Sequence, residues 1–333
     1  MKAPRVRDVA ALAGVSTATV SRTLSQPELV SEATREAVRR AIEATGYTVN
    51  MAARNLRRNR TGGVLALVPN LANPFFSRIL SGLSQVLREN GMNLLVADTM
   101  TGEHGRALLV DYADRSRCDG LIVLDGTIPA EIFRRPVCPP VVQACEWIED
   151  LAAPRVVADN AAGVRLAVEH LLALGHRRIA HLTGPAGNPL TRERARGFGE
   201  ALAAHGLGAR PEWKVAGDYG FGSGHRAARS LLAGGEPPTA VICDNDEMAC
   251  GLVAEARVMG LAVPDDLSVI GFDDIELSAH VTPALTTVHQ QRVEIGAAAA
   301  RMMLALLDGE EPDRLTVVPV ELVPRDSAAP PRG

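Results

Sequence analysis

Polar and aromatic side chains in this sequence gather where apolar runs stop. Val68 leads to Asn70 and then Asn73-Pro-Phe-Phe76, Ala144 to Glu146-Trp147, and Val157 to Asp159-Asn160. Farther on, Cys243 leads to Asp244-Asn245-Asp246, and Phe272 to Asp273-Asp274. If the apolar runs are parallel strands, these residues lie beyond the carboxyl ends, where open α/β sheets bind ligands. The chemistry on offer is hydrogen bonding and ring stacking. Amides and carboxylates serve ligand hydroxyls, while Phe75, Phe76, Trp147, Tyr219 and Phe221 can present flat faces to a sugar or a base. Packing competes for aromatics beside strand ends, which leaves two or three of these five as ligand contacts. Helix capping competes on equal terms for Asp246 and Asn160.

Catalytic chemistry is poorly supplied. The two lysines, Lys2 and Lys214, follow no glycine-rich phosphate loop, and Gly220-Phe-Gly-Ser-Gly224 lacks the lysine and the strand–helix setting of a P-loop. There is no G-x-S-x-G elbow. The eight histidines, including His104, His176, His181 and His280, show no HExxH or comparable metal spacing. The expectation is a protein with no catalytic residues, no metal and no cofactor, and therefore not an enzyme.

The first sixty residues carry a different chemistry. They hold 11 Lys+Arg against 5 Asp+Glu, a net of +6 on a chain whose total is −4, so the remainder carries −10. A basic arm on an acidic body is the electrostatic footprint of a nucleic-acid module. The elements that would position it are short helices. Val6, Val9, Ala10 and Ala13 share one side of a helical pattern that Gly14 ends, since glycine accepts positive φ without steric cost. Ser16 suits the next N-cap, accepting from the N–H of Ala18 or Thr19, and helical spacing resumes through Val20 and Leu24. Two helices on a three-residue turn make a helix-turn-helix. Ser31 caps a third helix over 32–45, with Val38 and Ile42 as its stripe and Gly46 as its end. A short basic segment follows at 50–58, too short to be helical in water unless DNA and a partner subunit hold it.

Here the sequence resembles a known family. Val9-Ala10, Ala13-Gly-Val-Ser16, Thr19-Val-Ser-Arg22, Val30-Ser31, Thr34-Arg35, Gly46-Tyr47 and Asn50 are similar to the headpiece of the LacI/GalR bacterial transcriptional repressors. The likeness continues through Asn73-Pro-Phe-Phe-Ser77, Cys118-Asp-Gly120, Gly175-His176, Arg194, Gly197, Val269-Ile-Gly-Phe-Asp-Asp274 and Leu285-Thr-Thr287, covering nearly the whole chain in order. Within the family it is most similar to the cytidine (nucleoside) repressor branch, through Val15–Arg22, Arg54-Asn55 with Arg58-Asn59, Gly184-Pro185 with Pro189-Leu190, and Arg292 with Glu294-Ile-Gly296. One departure is Arg5, where many relatives cap the first helix with Ser or Thr; Asp8 near the positive end of the helix dipole compensates in part.

The resemblance implies an N-terminal all-α helix-turn-helix headpiece (1–49), a hinge helix and linker (50–61), and a periplasmic-binding-protein-like α/β core (62–333) of two doubly wound parallel-sheet subdomains. The first lobe takes about 62–159 and 292–318, the second about 160–289 and 320–327. Thr17 and Ala18 would lead a recognition helix in the major groove, with Arg22 one turn on. Ser16, Thr19, Ser21 and Ser31 suit phosphates. In the hinge, Asn50 is the N-cap, Ala53 allows close approach, Leu56 is a minor-groove wedge and Arg57 reaches the groove floor or a phosphate. Effector contacts would be Phe75, Phe76, Trp147, Arg194, Tyr219, Asn245 and Asp273. The partners implied are double-stranded operator DNA, a second copy of the chain, and a small-molecule effector, a nucleoside or else a sugar.

The elements that must hold such a cleft are legible as alternating patterns. Gly63–Val68 is a continuous apolar run, as in a strand buried on both faces. Helical spacing recurs near 76–90, 103–116, 161–174, 192–205, 222–233, 246–259 and 292–307. Strand candidates lie at Leu94–Ala97, Leu121–Leu124, Val141–Ala144, Val156–Ala158, Ile179–Thr183, Ala240–Cys243 and Ser268–Phe272. Such alternation yields parallel sheets with helices on both faces. Five cysteines without a paired framework read as reduced, buried thiols. With no apolar signal core and no window approaching eighteen apolar residues, the expectation is a cytoplasmic protein with no membrane association.

Overall fold

The computed structural model describes residues 4–47, 60–99 and 105–332, with the side chains of 105–107 excepted. They form two compact units, Met1–Thr61 and Gly62–Gly333. In the first, α1 (Val6–Ala13), α2 (Thr17–Ser25) and α3 (Glu32–Thr45) enclose a small core of Val9, Ala10, Val20, Val38 and Ala41. Gly14 adopts φ 67°, and the N–H groups of Gly14 and Val15 return to the carbonyls of Ala11 and Ala10, closing α1 so that the chain can reverse. Ser16 then opens α2 by accepting from the Thr19 N–H at 3.0 Å. At the start of α1 the Asp8 carboxylate accepts the Arg5 N–H at 2.8 Å, half of a capping box in place of a cap hydroxyl. Leu24 departs from expectation. It is exposed, because Val20 is the only residue of α2 that this small core buries. The hinge segment 50–58 lies outside the described residues.

The second unit holds two six-stranded sheets. The first has the order β11-β5-β4-β3-β1-β2, built from β1 (Gly63–Val68), β2 (Asn93–Asp98), β3 (Gly120–Val123), β4 (Val141–Ala144), β5 (Arg155–Ala158) and β11 (Leu315–Val318), all parallel. The second has the order β12-β10-β9-β8-β6-β7, from β6 (Ile179–Thr183), β7 (Lys214–Ala216), β8 (Ala240–Cys243), β9 (Ser268–Asp273), β10 (Thr286–Gln290) and β12 (Val320–Val323). This second sheet is not wholly parallel, since β12 runs antiparallel to β10. Four strands escape the apolar-run criterion, among them Val320–Val323, in which Glu321 interrupts the apolar residues and none is fully buried. Lys214–Ala216 is a short edge strand, Thr286–Gln290 places two threonines, a histidine and a glutamine in a mostly buried position, and Leu315–Val318 is an edge strand with only Val318 buried.

Helices cover these sheets: α4 (Phe75–Glu89), α5 (Gly105–Tyr112), α6 (Asn160–Ala173), α7 (Pro189–Ala204), α8 (Phe221–Leu232), α9 (Asp246–Val258) and α10 (Arg292–Leu307). α7 begins three residues before the spacing suggests, because Asn188 caps it through the Leu190 N–H and Pro189 occupies the first turn. α5 stops at Tyr112, short of the expected 116. The chain passes between lobes three times, at Asp159, at Gln291 and at Pro319, so α10 follows a strand of the second sheet yet packs on α4 of the first. Of the five cysteines, all free, four are buried and Cys250 is half-buried.

α4 and α10 meet backbone to backbone. A Cβ on Gly82 would lie 2.0 Å from the Val293 carbonyl oxygen, and one on Gly296 would lie 2.0 Å from that of Ile79. Neither obstacle is a movable side chain, so the two helices would have to separate. Gly296→Ala is therefore expected to cost the folded core about 1–3 kcal/mol. Urea unfolding measures this, and an unchanged midpoint would show that the crossing is looser than described.

Candidate functional site

A cavity of about 300 Å³ opens between the carboxyl ends of the two sheets, the region where each strand order reverses beside its first strand. Loops after β1, β3 and β4 supply Asn70, Asn73, Asp125 and Glu146 to it, with Phe75 and Phe76 from the first turn of α4. Loops after β6, β7 and β8 supply Asn188, Tyr219 and Asn245, the last residue of β9 is Asp273, and α7 supplies Arg194. Each lobe thus contributes one wall.

Arg194 is 2 % exposed, and a buried guanidinium needs partners on every side. Its Nε donates to Asn160 Oδ1 at 2.8 Å, Nη1 donates to the Asp244 carbonyl, and its plane lies 3.8 Å over the Phe272 ring. Nη2 stands 4.0 Å from Asp273 Oδ1, too far for a hydrogen bond. The cavity therefore contains a guanidinium edge and a carboxylate side by side, spaced for a ligand hydroxyl to donate to one and accept from the other. Asn160, a capping candidate in the sequence, holds Arg194 instead, while Asp159 caps α6 through the Ala162 N–H.

Five carboxyl groups, Asp125, Glu146, Asp218, Glu247 and Asp273, stand in the lining. Burial pushes the Asp273 carboxyl up to about 7 against the opposing pull of Arg194, Arg292 and the Gln290 amide, which donates to it at 2.6 Å. Burial also raises Glu146, which accepts from the Gly126 N–H at 2.9 Å and the Asn188 amide at 3.0 Å. Behind the wall Asp246 is raised well above the carboxylate range by burial and by neighbouring Asp273, although Thr287 and the Ile275 N–H both donate to it. Asp125 takes donors from Thr99 and Thr127. Asp125, Glu146, Asn188 and Glu247 were not among the expected contacts. Asp125 could have been read from its place after the run Leu121–Leu124, and Asn188 from the Asn-Pro helix start.

Six of the seven expected effector contacts, Phe75, Phe76, Arg194, Tyr219, Asn245 and Asp273, line the cavity. Phe75 and Phe76 meet edge to face with centroids 5.1 Å apart. Asn245 both caps α9 through the Met248 N–H and donates to the Tyr219 carbonyl at 2.8 Å. Tyr219 hydrogen-bonds Thr191 at 3.0 Å, and its ring occupies the space that a Cβ on residue 184 would need, within 2.3 Å, so Gly184 makes room for it. Trp147 is the exception. Cys145 takes φ 68° after β4, a turn that sends Glu146 into the cavity and leaves Trp147 packed on the first-lobe core beneath the Arg155 guanidinium. Phe221 stays outside, 42 % exposed, in a neighbouring recess. Cys145, Tyr219 and Asp273 all hold positive φ, at 68°, 65° and 113°, and all three line the cavity. Such conformations cost about 1–3 kcal/mol each and concentrate where a ligand is clamped.

In the headpiece, Ser16, Thr17, Ala18, Ser21 and Arg22 form an exposed face of α2 and its cap. Thr19 is half-buried, its hydroxyl 2.9 Å from that of Ser16, and Ser31 caps α3 through the Thr34 N–H. Asn50, Ala53, Leu56 and Arg57 lie outside the described residues. Among the described residues no helix is long and apolar enough to cross a membrane.

Known proteins share this arrangement. Residues 5–50 match the bacterial regulatory proteins of the lacI family, and residues 168–328 match a periplasmic binding protein-like domain. The chain is 38% identical over 310 residues to the HTH-type transcriptional repressor CytR of Escherichia coli (strain K12), covering 92% of this chain and 91% of that one. It is 34% identical to the HTH-type transcriptional repressor PurR of Aliivibrio fischeri (strain MJ11), with 97% of each chain covered. Among solved structures, the lac repressor dimer bound to operator and the anti-inducer ONPF aligns over 98% of this chain and 100% of its own, with TM-score 0.86 and 30% identity. The transcriptional regulator CelR–cellobiose complex aligns over the same shares with TM-score 0.76 and 32% identity.

The raised carboxyl of Asp273 carries a stability consequence. A folded-state value above the unfolded one means that the folded chain holds the proton longer. Its contribution to stability is complete below the ordinary carboxylate range and is lost as pH rises through about 7. Without effector, the protein should lose stability between pH 5 and pH 8, and Asp273→Asn should lessen that loss by about 2–4 kcal/mol. Parallel urea titrations at the two pH values test this; identical pH dependence in both proteins would mean that Asp273 is ionised throughout.

Proposed function

The chain belongs to the LacI family of bacterial regulatory proteins, and from that membership we propose that it is a transcriptional repressor whose grip on an operator is set by a small molecule in the interlobe cavity. The observation that carries the reading is the pairing of Arg194 and Asp273 across 4.0 Å in a cavity whose other wall comes from the first lobe. A ligand seated there touches both lobes, and its differential affinity for two lobe arrangements is what would shift the repressor between states. The relatives named as repressors support a binding role rather than an enzymatic one, working in the cytoplasm where the operator is.

At the DNA end, Thr17 and Ala18 would meet base edges in the major groove with Arg22 beside them, and Ser16, Thr19, Ser21 and Ser31 would serve phosphates. Asn50, Ala53, Leu56 and Arg57 would form the minor-groove element. It needs two copies side by side, so the active species is a dimer on an inverted repeat. The leading effector class is a nucleoside, supported by the 38% identity to CytR and by the aromatic trio Phe75, Phe76 and Tyr219. A sugar is the second reading, supported by the likeness to CelR in complex with cellobiose.

Two variants separate the ends of the molecule. Arg194→Ala removes a charged hydrogen-bonding group worth about 1.5–3 kcal/mol to a bound effector. Operator affinity without effector should stay near wild type while the effector midpoint rises at least about tenfold. Titration of effector into operator-bound protein measures it, and an unmoved midpoint would take Arg194 out of the site. Leu56→Ala should instead weaken operator binding and bending with little effect on scrambled DNA, because the wedge carries no charge. Equal losses on both DNAs in a gel-shift and bending assay would count against the wedge.

A further inference from the structure

We propose that the cavity reads hydroxyl and amino donors and rejects the phosphate ester of the same compound, so that this repressor responds to a dephosphorylated metabolite. The inference rests on the nucleoside-or-sugar reading of the cavity and adds a charge rule to it.

The rule follows from which groups are free to meet a ligand. Among the described residues lining the cavity, the carboxyls are Asp125, Glu146, Asp218, Glu247 and Asp273, and the single cation is Arg194. That cation offers only one edge to a ligand, and a carboxylate stands beside that edge. Its Nε and Nη1 are taken by Asn160 and the Asp244 carbonyl, and Nη2 faces Asp273. Arg292, the other buried guanidinium nearby, donates to the Phe75 and Asp274 carbonyls and does not line the cavity. Arg226 lies outside as well, bound to Asp218 at 2.9 Å. α9 presents Asp246 and Glu247 in its first turn, and the N–H of Met248 is already capped by Asn245. At the other helix starts bordering the cavity, Asn73 accepts the Phe75 N–H of α4, Asn188 the Leu190 N–H of α7, and Asp218 the Gly220 N–H that precedes α8.

A phosphate monoester brings up to two charges and three acceptor oxygens into this lining. It would find carboxyl oxygens and few unpaired donors, and like-charge repulsion is screened less in a partly dry site than in water. Partial protonation of Asp273, whose carboxyl is pushed up to about 7, relieves part of the repulsion at neutral pH but provides no cation. The same lining suits a donor-rich ligand, since carboxylate oxygens accept and each retains lone pairs beyond its protein partners. A compound that arises when a phosphatase or a nucleotidase hydrolyses its phosphate ester, releasing inorganic phosphate, has the required chemistry.

The test uses full-length protein and matched pairs: cytidine with cytidine 5′-monophosphate, adenosine with its 5′-monophosphate, and ribose with ribose 5-phosphate. Binding is followed by calorimetry and thermal shift. The expected result is that the neutral member of at least one pair binds and its phosphate binds at least about 100-fold more weakly. Glu247→Gln, which removes one acceptor charge from the lining, should narrow that ratio at least threefold and narrow it further at low salt than at high salt. A phosphate that binds as tightly as its parent overturns the proposal while leaving the cavity as an effector site. A ratio unchanged by Glu247→Gln and by salt overturns the electrostatic origin. Binding by no member of any pair overturns the nucleoside-or-sugar reading and this proposal with it.

Discussion

A buried guanidinium organises the ligand end of this molecule. Arg194 is almost wholly removed from water, and a charge in that position is tolerated only while its hydrogens are answered. Two hydrogen bonds answer it, from Asn160 where the chain first enters the second lobe and from the Asp244 carbonyl after β8, while Asp273 at the end of β9 supplies a charge 4.0 Å away and Phe272 within β9 supplies a ring face. Holding one side chain from α7 therefore fixes the ends of two strands and the start of α6. The strain at Asp273 and Tyr219 is consistent with this arrangement, because positive φ at such residues persists only where surrounding contacts over-determine it.

Around that centre the lobes are unequal. The second lobe supplies the ionic and hydrogen-bonding framework, whereas the first supplies Phe75 and Phe76 with Asn70, Asn73, Asp125 and Glu146. A ligand anchored on Arg194 and Asp273 would gain the Phe75 and Phe76 faces only as the first lobe approaches, so affinity and lobe arrangement are thermodynamically linked. The headpiece is built on an opposite scale. Five buried residues hold three helices, and the helix starts and stops rest on Asp8, Gly14, Ser16, Ser31 and Gly46. A core that small leaves most of α2 in solvent, which is what a surface reading DNA requires.

Much of this was legible in the residues, for identifiable reasons. Gly14 and Ser16 mark a helix end and a helix start through backbone demands that few other residues meet. Continuous apolar runs at Gly63–Val68 and Ser268–Phe272 could only be strands buried on both faces, and polar residues just past them had to face the ligand crevice or cap a helix. What the pattern could not supply was direction within a loop. Trp147 and Glu146 are adjacent, and the positive φ at Cys145 decides which of them enters the cavity. Asp159 and Asn160 are equally good caps by type, and only the fold decides that Asp159 caps α6 while Asn160 holds Arg194. The strand Thr286–Gln290 escaped because its residues are mostly polar although buried, with Thr286, Thr287 and Gln290 bonding to the C-terminal segment, Asp246 and Asp273. Resemblance to a family located Arg194; no periodicity distinguishes it from its surface neighbours Arg192 and Arg196.

The three passages between lobes all leave or enter strands at one side of the sheets, β5 and β11 in the first, β10 and β12 in the second, and Pro319 alone separates the last two. Three short tethers along one margin leave little room for sliding and favour a swing about that margin. The far strands, β2 and β7, then sit at the tips of two lever arms. A closure of a few degrees at the tethers is magnified across the width of six strands, roughly 24 Å at the usual interstrand spacing. The edge strand β2, with Leu95 and Val96 exposed along it, is therefore the part of the first lobe whose travel relative to the second is greatest. Any neighbour seated on that edge would feel the ligand as displacement rather than as chemistry.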